Sequence, residues 1–289
     1  MSQPSTFREP LEDRKLKEIE HSRRRRSILQ GYERQSDTNV ADEATELETL
    51  VRDREAFEEH FSNMKFYSVA KESEQYLHDW LRTRCHGTRT LDYCCGNGEN
   101  ALFMAKAGAD ATGIDISPEG IENCRQNAIT EGVKDKAEFL VMDGEALDFP
   151  DNSFDVIAEY GALHHLDYDR AMLELRRVIK PGGEIICVEA LRHNPLIHFY
   201  RKRTPNLRTA WEVDHILSVS HLARAREYFG KVEVKFFHLA VLAAVPFRKT
   251  KMFGPLRGVL EKIDSVLLSN QLIGKYAWIM VFTLANPRK

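Results

Sequence analysis

The chain has 289 residues, a net charge of −3 and 43% hydrophobic residues. This size and composition suit one large α/β domain with additions, or two small domains, with enough apolar residues for a sizeable core. The polar start lacks the apolar core of a signal peptide, and no apolar run approaches the roughly 20 residues of a membrane span, so we expect neither feature. The five cysteines are an odd number without metal-ligand spacing, so we expect reduced, buried thiols, a cytoplasmic protein and no metal site.

Residues 1–40 are dense in charge and poor in large apolar side chains, and residues 23–26 are all arginine. A basic run is one mark of nucleic-acid binding, but acidic residues surround this one and no aromatic residues interleave. The pattern therefore argues against a nucleic-acid partner. It predicts a charged amino-terminal arm that is helical and partly mobile.

Two helices are predicted before the first strand, over residues 43–61 and 68–83, because their apolar residues recur at helical spacing. Elements that precede the first strand of this kind of fold cover its ligand site. Tyr67 lies between the two helices and is a candidate contact for a bound substrate. Plain packing in the core is the alternative.

A glycine turn follows the first predicted strand. Residues 91–95 form a short apolar run typical of a buried strand, and the sequence Gly96-Asn97-Gly98 leads from it into a helix that opens at Ala101. A strand, a glycine turn and a helix N-terminus together form a nucleotide-type binding corner with free N–H groups. The spacing Gly96-x-Gly98-x-x-Ala101 also fits the loose dinucleotide fingerprint, which is weak evidence alone.

Acidic residues end the next two predicted strands, at the same edge of the sheet. Strand two, over 111–116, carries Asp115 and Ile116, and the Asp115 carboxylate is placed to accept both hydroxyls of a ribose. Strand three, over 137–142, is followed by Asp143 and Gly144, where the carboxylate would accept from an adenine amino group. These positions predict a nucleoside ligand without fixing the chemistry.

The fourth predicted strand ends at Glu159 and Tyr160, and His164 and His165 follow on the binding side. A helix over 167–179 is stopped by the sequence Lys-Pro-Gly-Gly at 180–183, since proline and glycine do not continue a helix. Strand five follows at 184–188. Either histidine could act as a general base, or both could only line the ligand pocket.

As an ordered set, these motifs resemble the class I S-adenosylmethionine (SAM) methyltransferases of the quinone and small-molecule group. The matching segments are 91–98, 113–117, 143–144, 149–155, 163–166 and 177–183. The resemblance implies a Rossmann-like, doubly wound α/β sheet of seven strands with an antiparallel last strand, SAM as cofactor, and methylation of a small molecule. Asp92 holds the family's acidic position in the first strand, whereas Cys94 stands where the family usually has a glycine.

The residues implied to bind the cofactor are Asp92, Cys94, Gly96, Asn97, Gly98, Asp115, Ile116, Asp143, Gly144, Glu159 and Tyr160. His164 and His165 are the catalytic candidates. A nicotinamide-dependent oxidoreductase and a catalytically silent SAM-binding module remain alternatives. The Asp92 position and the helix ending at 180–183 argue against the oxidoreductase, and the intact set of aspartates argues against the silent module.

The last third of the chain is basic, with 17 Lys and Arg against 6 Asp and Glu over residues 192–289. Two helical insertions, at 191–230 and 246–275, are predicted within a single domain over 41–289, with a sixth strand over 232–241 between them. The first supplies the substrate-binding candidates His193, Tyr200, Arg203 and His215. Basic residues beside an apolar helix suit an apolar or anionic acceptor, or a lipid surface that contacts 236–275, and they equally suit a solvated face.

Overall fold

The computed structural model describes residues 11–37, 57 and 61–288, with side chains described from residue 11 to 28, at 57 and from 61 onward. The helix predicted over 43–61 therefore lies outside the described residues, apart from Phe57 and Phe61. Within the amino-terminal arm, the described residues form a long helix, α1 (Asp13–Asp37), which agrees with the arm's predicted helical character.

Seven strands form one sheet in the order β3-β2-β1-β4-β5-β7-β6. The strands are β1 (Arg89–Tyr93), β2 (Asp110–Asp115), β3 (Ala137–Val141), β4 (Phe154–Tyr160), β5 (Ile179–Ala190), β6 (Phe229–Phe237) and β7 (Ile279–Pro287). The strands β1 to β5 pair in parallel, while β7 runs antiparallel to both of its neighbours. The predicted fold class is confirmed.

Helices cover both faces of the sheet. After α1 they are α2 (Met64–Tyr67), α3 (Lys71–Arg82), α4 (Glu99–Lys106), α5 (Pro118–Thr130), α6 (Tyr168–Val178), α7 (Pro195–Arg203), α8 (Ala210–His215), α9 (Ser220–Tyr228), α10 (Phe253–Leu267) and α11 (Gln271–Gly274). One apolar cluster joins α3, α4 and α5 to the sheet, and a second joins α6 and α9 to the opposite face. This three-layer arrangement brings the carboxyl ends of the parallel strands to one edge, where α/β folds bind ligands.

The first strand begins and ends two residues earlier than predicted. It ends at Tyr93, and Cys94 takes a φ of 58°, which is the left-handed conformation that a side chain disfavours. Cys94 and Cys95 therefore belong to the turn and not to the strand. The same fact explains why the resemblance expects a glycine at position 94, because glycine adopts this conformation without strain.

Two other strand boundaries differ from prediction. The β6 strand covers Phe229–Phe237 and not 232–241, because His238 has a φ of 67° and a 3₁₀ turn follows at Ala240–Phe247. The β5 strand begins directly after α6, five residues earlier than predicted. Gly182, at a φ of 83°, bends the chain there, and the register with β4 shifts between Phe154 and Val156.

Candidate donor and acceptor site

A cavity of about 440 Å³ lies at the carboxyl edge of the parallel strands. Its lining combines residues from the strand ends, from α1 and from the start of β7. Ten of the predicted site residues line it: Tyr67, Cys94, Gly96, Asp115, Ile116, Asp143, Gly144, Tyr160, His164 and His165. Glu189 and Trp278, which the sequence did not single out, line it as well. The topology thus brings together most of the residues that the motifs indicated.

The glycine turn and Asp115 form the centre of the cavity floor. The Gly96 N–H donates to Asp115 Oδ2 at 3.0 Å, and the Ser117 N–H donates to Oδ1 at 2.9 Å. These bonds fix the carboxylate beside the turn and leave each oxygen with a further lone pair for a ligand hydroxyl. Burial raises the pKa of Asp115, although both N–H groups oppose that shift.

Asp143 and Gly144 follow β3 and line the neighbouring part of the cavity. Asp143 Oδ1 accepts from the Glu145 N–H at 2.9 Å, which orients the carboxylate. The Tyr93 hydroxyl donates to the Gly144 carbonyl at 2.7 Å, and a Cβ at Gly144 would lie 3.0 Å from that hydroxyl. The chain is therefore held close to β1 at the point where we predicted an adenine contact.

Four residues predicted to bind the cofactor do not line the cavity: Asp92, Asn97, Gly98 and Glu159. Asp92 is 1% exposed and accepts from the Ala101 N–H at 2.9 Å, so it ties the start of α4 to β1, and burial raises its pKa to about 7. Gly98 has a φ of 81°, and a Cβ there would lie 2.9 Å from the Phe139 ring. Asp92 and Gly98 thus shape the turn from behind.

His164 and His165 lie in the 3₁₀ turn Leu163–His165 that follows β4. His164 Nδ1 is 2.7 Å from Glu189 Oε2, and burial together with the neighbouring His165 lowers the pKa of His164 to about 3. His165 Nδ1 is 3.0 Å from Glu18 Oε2. Burial disfavours the charged form of His165, but this contact outweighs it and raises the pKa. The two adjacent histidines are therefore electrostatically different.

The helix α1 lies across the cavity, which the sequence did not predict. Lys15 Nζ is 2.6 Å from Asp143 Oδ2 and 2.9 Å from Glu145 Oε2, and the residue is only 6% exposed. At the other end of the cavity, Arg26 donates to the Gly96 carbonyl at 3.0 Å and to Asn97 Oδ1 at 2.6 Å. Two cations of α1 thus contact groups that we predicted to meet the ligand.

Polar contacts hold α1 near the strand ends, together with the stacking of the Arg14 guanidinium 4.3 Å over the Trp211 ring. Arg14 donates to Glu145 Oε1 at 2.7 Å and to the His165 carbonyl at 2.9 Å. The helix has no apolar stripe that would have indicated a packing face, so the run of arginines was its only signal in the sequence. That signal shows charge but not which surface the charge meets.

The acceptor candidates from the sequence divide into two groups. Tyr67 lines the cavity, and its ring lies 5.4 Å from that of Trp278 in an edge-to-face arrangement. Tyr200 does not line it and instead shares a hydrogen bond with Ser62 at 2.6 Å. His193, Arg203 and His215 are exposed and also lie outside the lining. Their predicted contact with substrate has no support in this geometry.

The part of the cavity near Tyr67 combines apolar side chains with the carboxyl group of Glu212. Trp278 lies just before β7 and Ile279 begins that strand, while Glu212 comes from α8 in the first insertion. Arg208 Nε is 3.1 Å from Glu212 Oε1, so this carboxylate is paired. Sequence reasoning missed Trp278, because contacts between remote segments bring it to the cavity: its carbonyl accepts from the Leu191 N–H, just after β5, at 2.8 Å.

The described residues contain no group of three or more His, Cys, Asp and Glu side chains that could hold a metal ion. No helix within the described part of the chain combines the length and the apolar character needed to cross a bilayer.

Comparison with known proteins gives matches concentrated on the parallel strands. Residues 91–187 match the protein family described as "Methyltransferase domain". The chain is 40% identical over 101 residues to 27-O-demethylrifamycin SV methyltransferase of Amycolatopsis mediterranei, covering 34% of this chain and 37% of that protein. It is 37% identical over 110 residues to demethylmenaquinone methyltransferase of Staphylococcus aureus, covering 36% of this chain and 43% of that protein.

The matched segment thus spans less than half the length of either relative. Among solved structures, the MccD protein is similar over 74% of this chain and 96% of its own, with a TM-score of 0.50 and 18% identity. At that identity the likeness concerns the fold alone. The matches favour the predicted resemblance over a nicotinamide-dependent oxidoreductase.

Proposed function

From the membership of residues 91–187 in the methyltransferase-domain family, we propose that the chain is a class I SAM-dependent methyltransferase acting on a small molecule. We propose further that residues 41–289 act as one catalytic domain and that the arm at 1–40 borders its cofactor site. Methyl transfer from a sulfonium is an in-line displacement, so positioning of donor and acceptor supplies much of the catalysis.

The pairing of Asp115 with the glycine turn carries this proposal. A carboxylate at the end of β2, fixed by the Gly96 and Ser117 N–H groups, supports a role in binding the hydroxyls of a ribose. Asp143 lies along the same cavity and suits an adenine amino group. The relatives named for rifamycin and menaquinone precursors support an apolar small-molecule acceptor at the end lined by Tyr67 and Trp278.

Calorimetry with SAM, S-adenosylhomocysteine and NAD tests the donor assignment. We expect binding of the first two and not of NAD. The substitution Asp115→Ala should weaken SAM binding by about 1.5–3 kcal/mol, since it removes hydrogen bonds to a charged acceptor. Asp110→Ala is the matched control, because Asp110 begins the same strand and pairs at the surface with Lys136. Equal SAM affinity in both variants would contradict the proposal.

Turnover separates the enzyme from a silent SAM-binding module. We expect release of S-adenosylhomocysteine when SAM and a suitable apolar acceptor are both present. A protein that binds SAM but methylates none of a broad set of quinols, phenols and polyketides would favour the silent module.

We also propose that α10 and its flanks contact an anionic lipid surface. Several large apolar side chains there are exposed: Phe247, Met252, Val259, Ile263, Val266 and Leu272. Val266 is 72% exposed, and the basic residues Arg248, Lys249 and Lys251 lie in the preceding loop. Apolar side chains beside cations suit the interface of an anionic membrane.

Flotation with vesicles tests this contact. Vesicles that contain phosphatidylserine should bind the protein, vesicles of phosphatidylcholine alone should bind it less, and added salt should weaken binding. Replacing Val259 and Val266 by serine should reduce binding without changing SAM affinity. Indifference to lipid composition and to salt would leave α10 as a solvated face.

A further inference from the structure

The helix α1 places two consecutive arginines, Arg25 and Arg26, in the lining of the cavity. Arg26 contacts the glycine turn, where its guanidinium donates to the Gly96 carbonyl at 3.0 Å. Arg25 lies near a different set of groups, because its charge interacts with Glu212 of the first insertion and with Tyr67. Successive residues of an α-helix point about 100° apart, so one helix can reach two parts of the same cavity.

Arg25 forms no ion pair with an Asp or Glu among the residues that the structure describes. Its side chain is half-buried, and its Cζ lies 4.8 Å from the centroid of the Phe61 ring. The Glu212 carboxylate is taken by another cation, since its Oε1 is 3.1 Å from Arg208 Nε. Burial lowers the pKa of Arg25, and the charge of Arg208 acts in the same direction. The guanidinium of Arg25 is therefore a cation whose loss of water is not offset by a carboxylate of the described chain.

The surroundings of Arg25 carry an excess of positive charge. Arg201 is a second half-buried guanidinium that interacts with Glu212, and burial lowers its pKa to about 10. Together with Arg208, these guanidinium groups meet one ion-paired carboxylate, that of Glu212. A further carboxyl group near Arg201 belongs to Glu189, which is 1% exposed. Burial raises the pKa of Glu189 to about 7, so it supplies only part of a negative charge at neutral pH.

Tyr67 adds a neutral donor and an apolar surface to the same part of the cavity. Burial raises its pKa, so the hydroxyl group keeps its hydrogen at neutral pH. The Tyr67 ring lies edge-to-face with that of Trp278 at 5.4 Å, and Ile279 follows in the lining. A guanidinium binds a planar carboxylate through two parallel N–H groups. An arginine and a phenol hydroxyl beside aromatic rings therefore suit an anion that is attached to a flat apolar body.

We propose that Arg25 binds a carboxylate group of the methyl acceptor, and that the acceptor is an aromatic carboxylic acid whose ring packs against Tyr67 and Trp278. The inference rests on the proposed function and narrows its apolar acceptor to one that also carries a negative charge. Of the three guanidinium groups near Glu212, only that of Arg25 lines the cavity. A group with a single negative charge is balanced by it, whereas a phosphate dianion would bring a second charge.

The donor also carries a carboxylate, on its methionine part. We assign Arg25 to the acceptor because Arg26, and not Arg25, contacts the glycine turn. The charge of Arg25 interacts instead with Glu212 and Arg208, which belong to the first insertion. The two arginines thus divide the cavity between the two substrates.

Calorimetry with the full chain, saturated with S-adenosylhomocysteine, tests the role of Arg25. The probes are 2-naphthoate and 2-naphthamide, which have the same ring and differ in charge. The wild type should bind the carboxylate roughly tenfold more tightly or better, since a hydrogen bond to a charged group is lost with the amide. Arg25→Gln should abolish this difference, and Arg25→Lys, which keeps the positive charge, should retain part of it.

Arg24→Gln is the matched control, because Arg24 is the preceding residue of the same helix, is exposed and does not line the cavity. It should bind both probes as the wild type does. Equal affinities of the wild type for the two probes, or a difference that persists in Arg25→Gln, would overturn the inference. Tighter binding of 2-naphthyl phosphate than of 2-naphthoate would overturn the choice of a carboxylate.

A second titration separates the acceptor carboxylate from that of the donor. Arg25→Gln should bind S-adenosylhomocysteine and methylthioadenosine, which lacks the carboxylate, as tightly as the wild type does. If the variant binds S-adenosylhomocysteine more weakly and methylthioadenosine equally well, then Arg25 holds the donor and the inference is wrong. Failure of S-adenosylhomocysteine to bind the wild type would instead refute the proposed function.

Discussion

The contact between Lys15 and Asp143 predicts that α1 opposes donor binding. Lys15 holds Asp143 Oδ2, the oxygen left free by the Glu145 N–H, and the side chains of Lys15, Asp143 and Glu145 are 7%, 11% and 1% exposed. An adenine amino group that uses Oδ2 must compete with this ammonium group. Burial disfavours the charged lysine, but its hydrogen bonds to both carboxylates outweigh that effect and raise its pKa.

The size of the effect follows from the bond that is displaced. A hydrogen bond to a charged group contributes about 1.5–3 kcal/mol. Lys15→Met removes the competitor, so SAM affinity should rise roughly tenfold or more, given that about 1.4 kcal/mol corresponds to a factor of ten. Lys17→Met is the control, since Lys17 is exposed on the same helix.

Calorimetry of SAM binding measures the change, and hydrogen exchange of α1 reports whether the helix remains docked. Tighter binding together with faster exchange in Lys15→Met would support competition between helix and donor. Unchanged or weaker SAM binding in Lys15→Met would refute this reasoning, because it would mean that Lys15 and the donor occupy the site together.

Cys94→Gly should raise the free energy of unfolding by roughly 1–2 kcal/mol, because it relieves a non-glycine residue in the left-handed conformation at a φ of 58°. The melting temperature should rise with it, and a lower melting temperature would contradict this. Gly98→Val should lower the stability of the fold as well as weaken donor binding, since its Cβ would lie 2.9 Å from the Phe139 ring. A denaturation midpoint equal to that of the wild type would contradict this. The contact between Glu18 and His165 should stabilise α1 docking below about pH 6.5 and lose effect as pH rises through the raised pKa of His165. Protection factors of the α1 amides at pH 6 and pH 8, in which exchange is divided by the intrinsic rate at each pH, check this, and Glu18→Gln should remove the difference.

Residues close together along the chain determined much of the site. Asp115 and Asp143 each end a strand, and parallel strands bring their carboxyl ends to one edge, so local patterns were enough to place both at the cavity. The same logic placed His164 and His165 after β4. The fold class also followed from this order of strands, turns and helices.

The roles of Asp92 and Gly98 required the structure. Both belong to the motif that indicated a ligand site, yet Asp92 turns to the start of α4 and Gly98 makes room for Phe139. A motif reports which residues recur together, whereas the direction of each side chain depends on what packs against it. Cys94 shows the same limit, because its strained φ appears only in the folded turn.

The sequence by itself determined the sheet, the glycine turn and the aspartates at the strand ends, because periodicity and strand order are local properties. Only the tertiary structure decided that Lys15 contacts Asp143, 128 positions away, and that Glu189 contacts the ring of His164. Those contacts depend on charge and distance between segments remote in the chain. A polar helix without an apolar face gives no sequence signal of the surface that it covers.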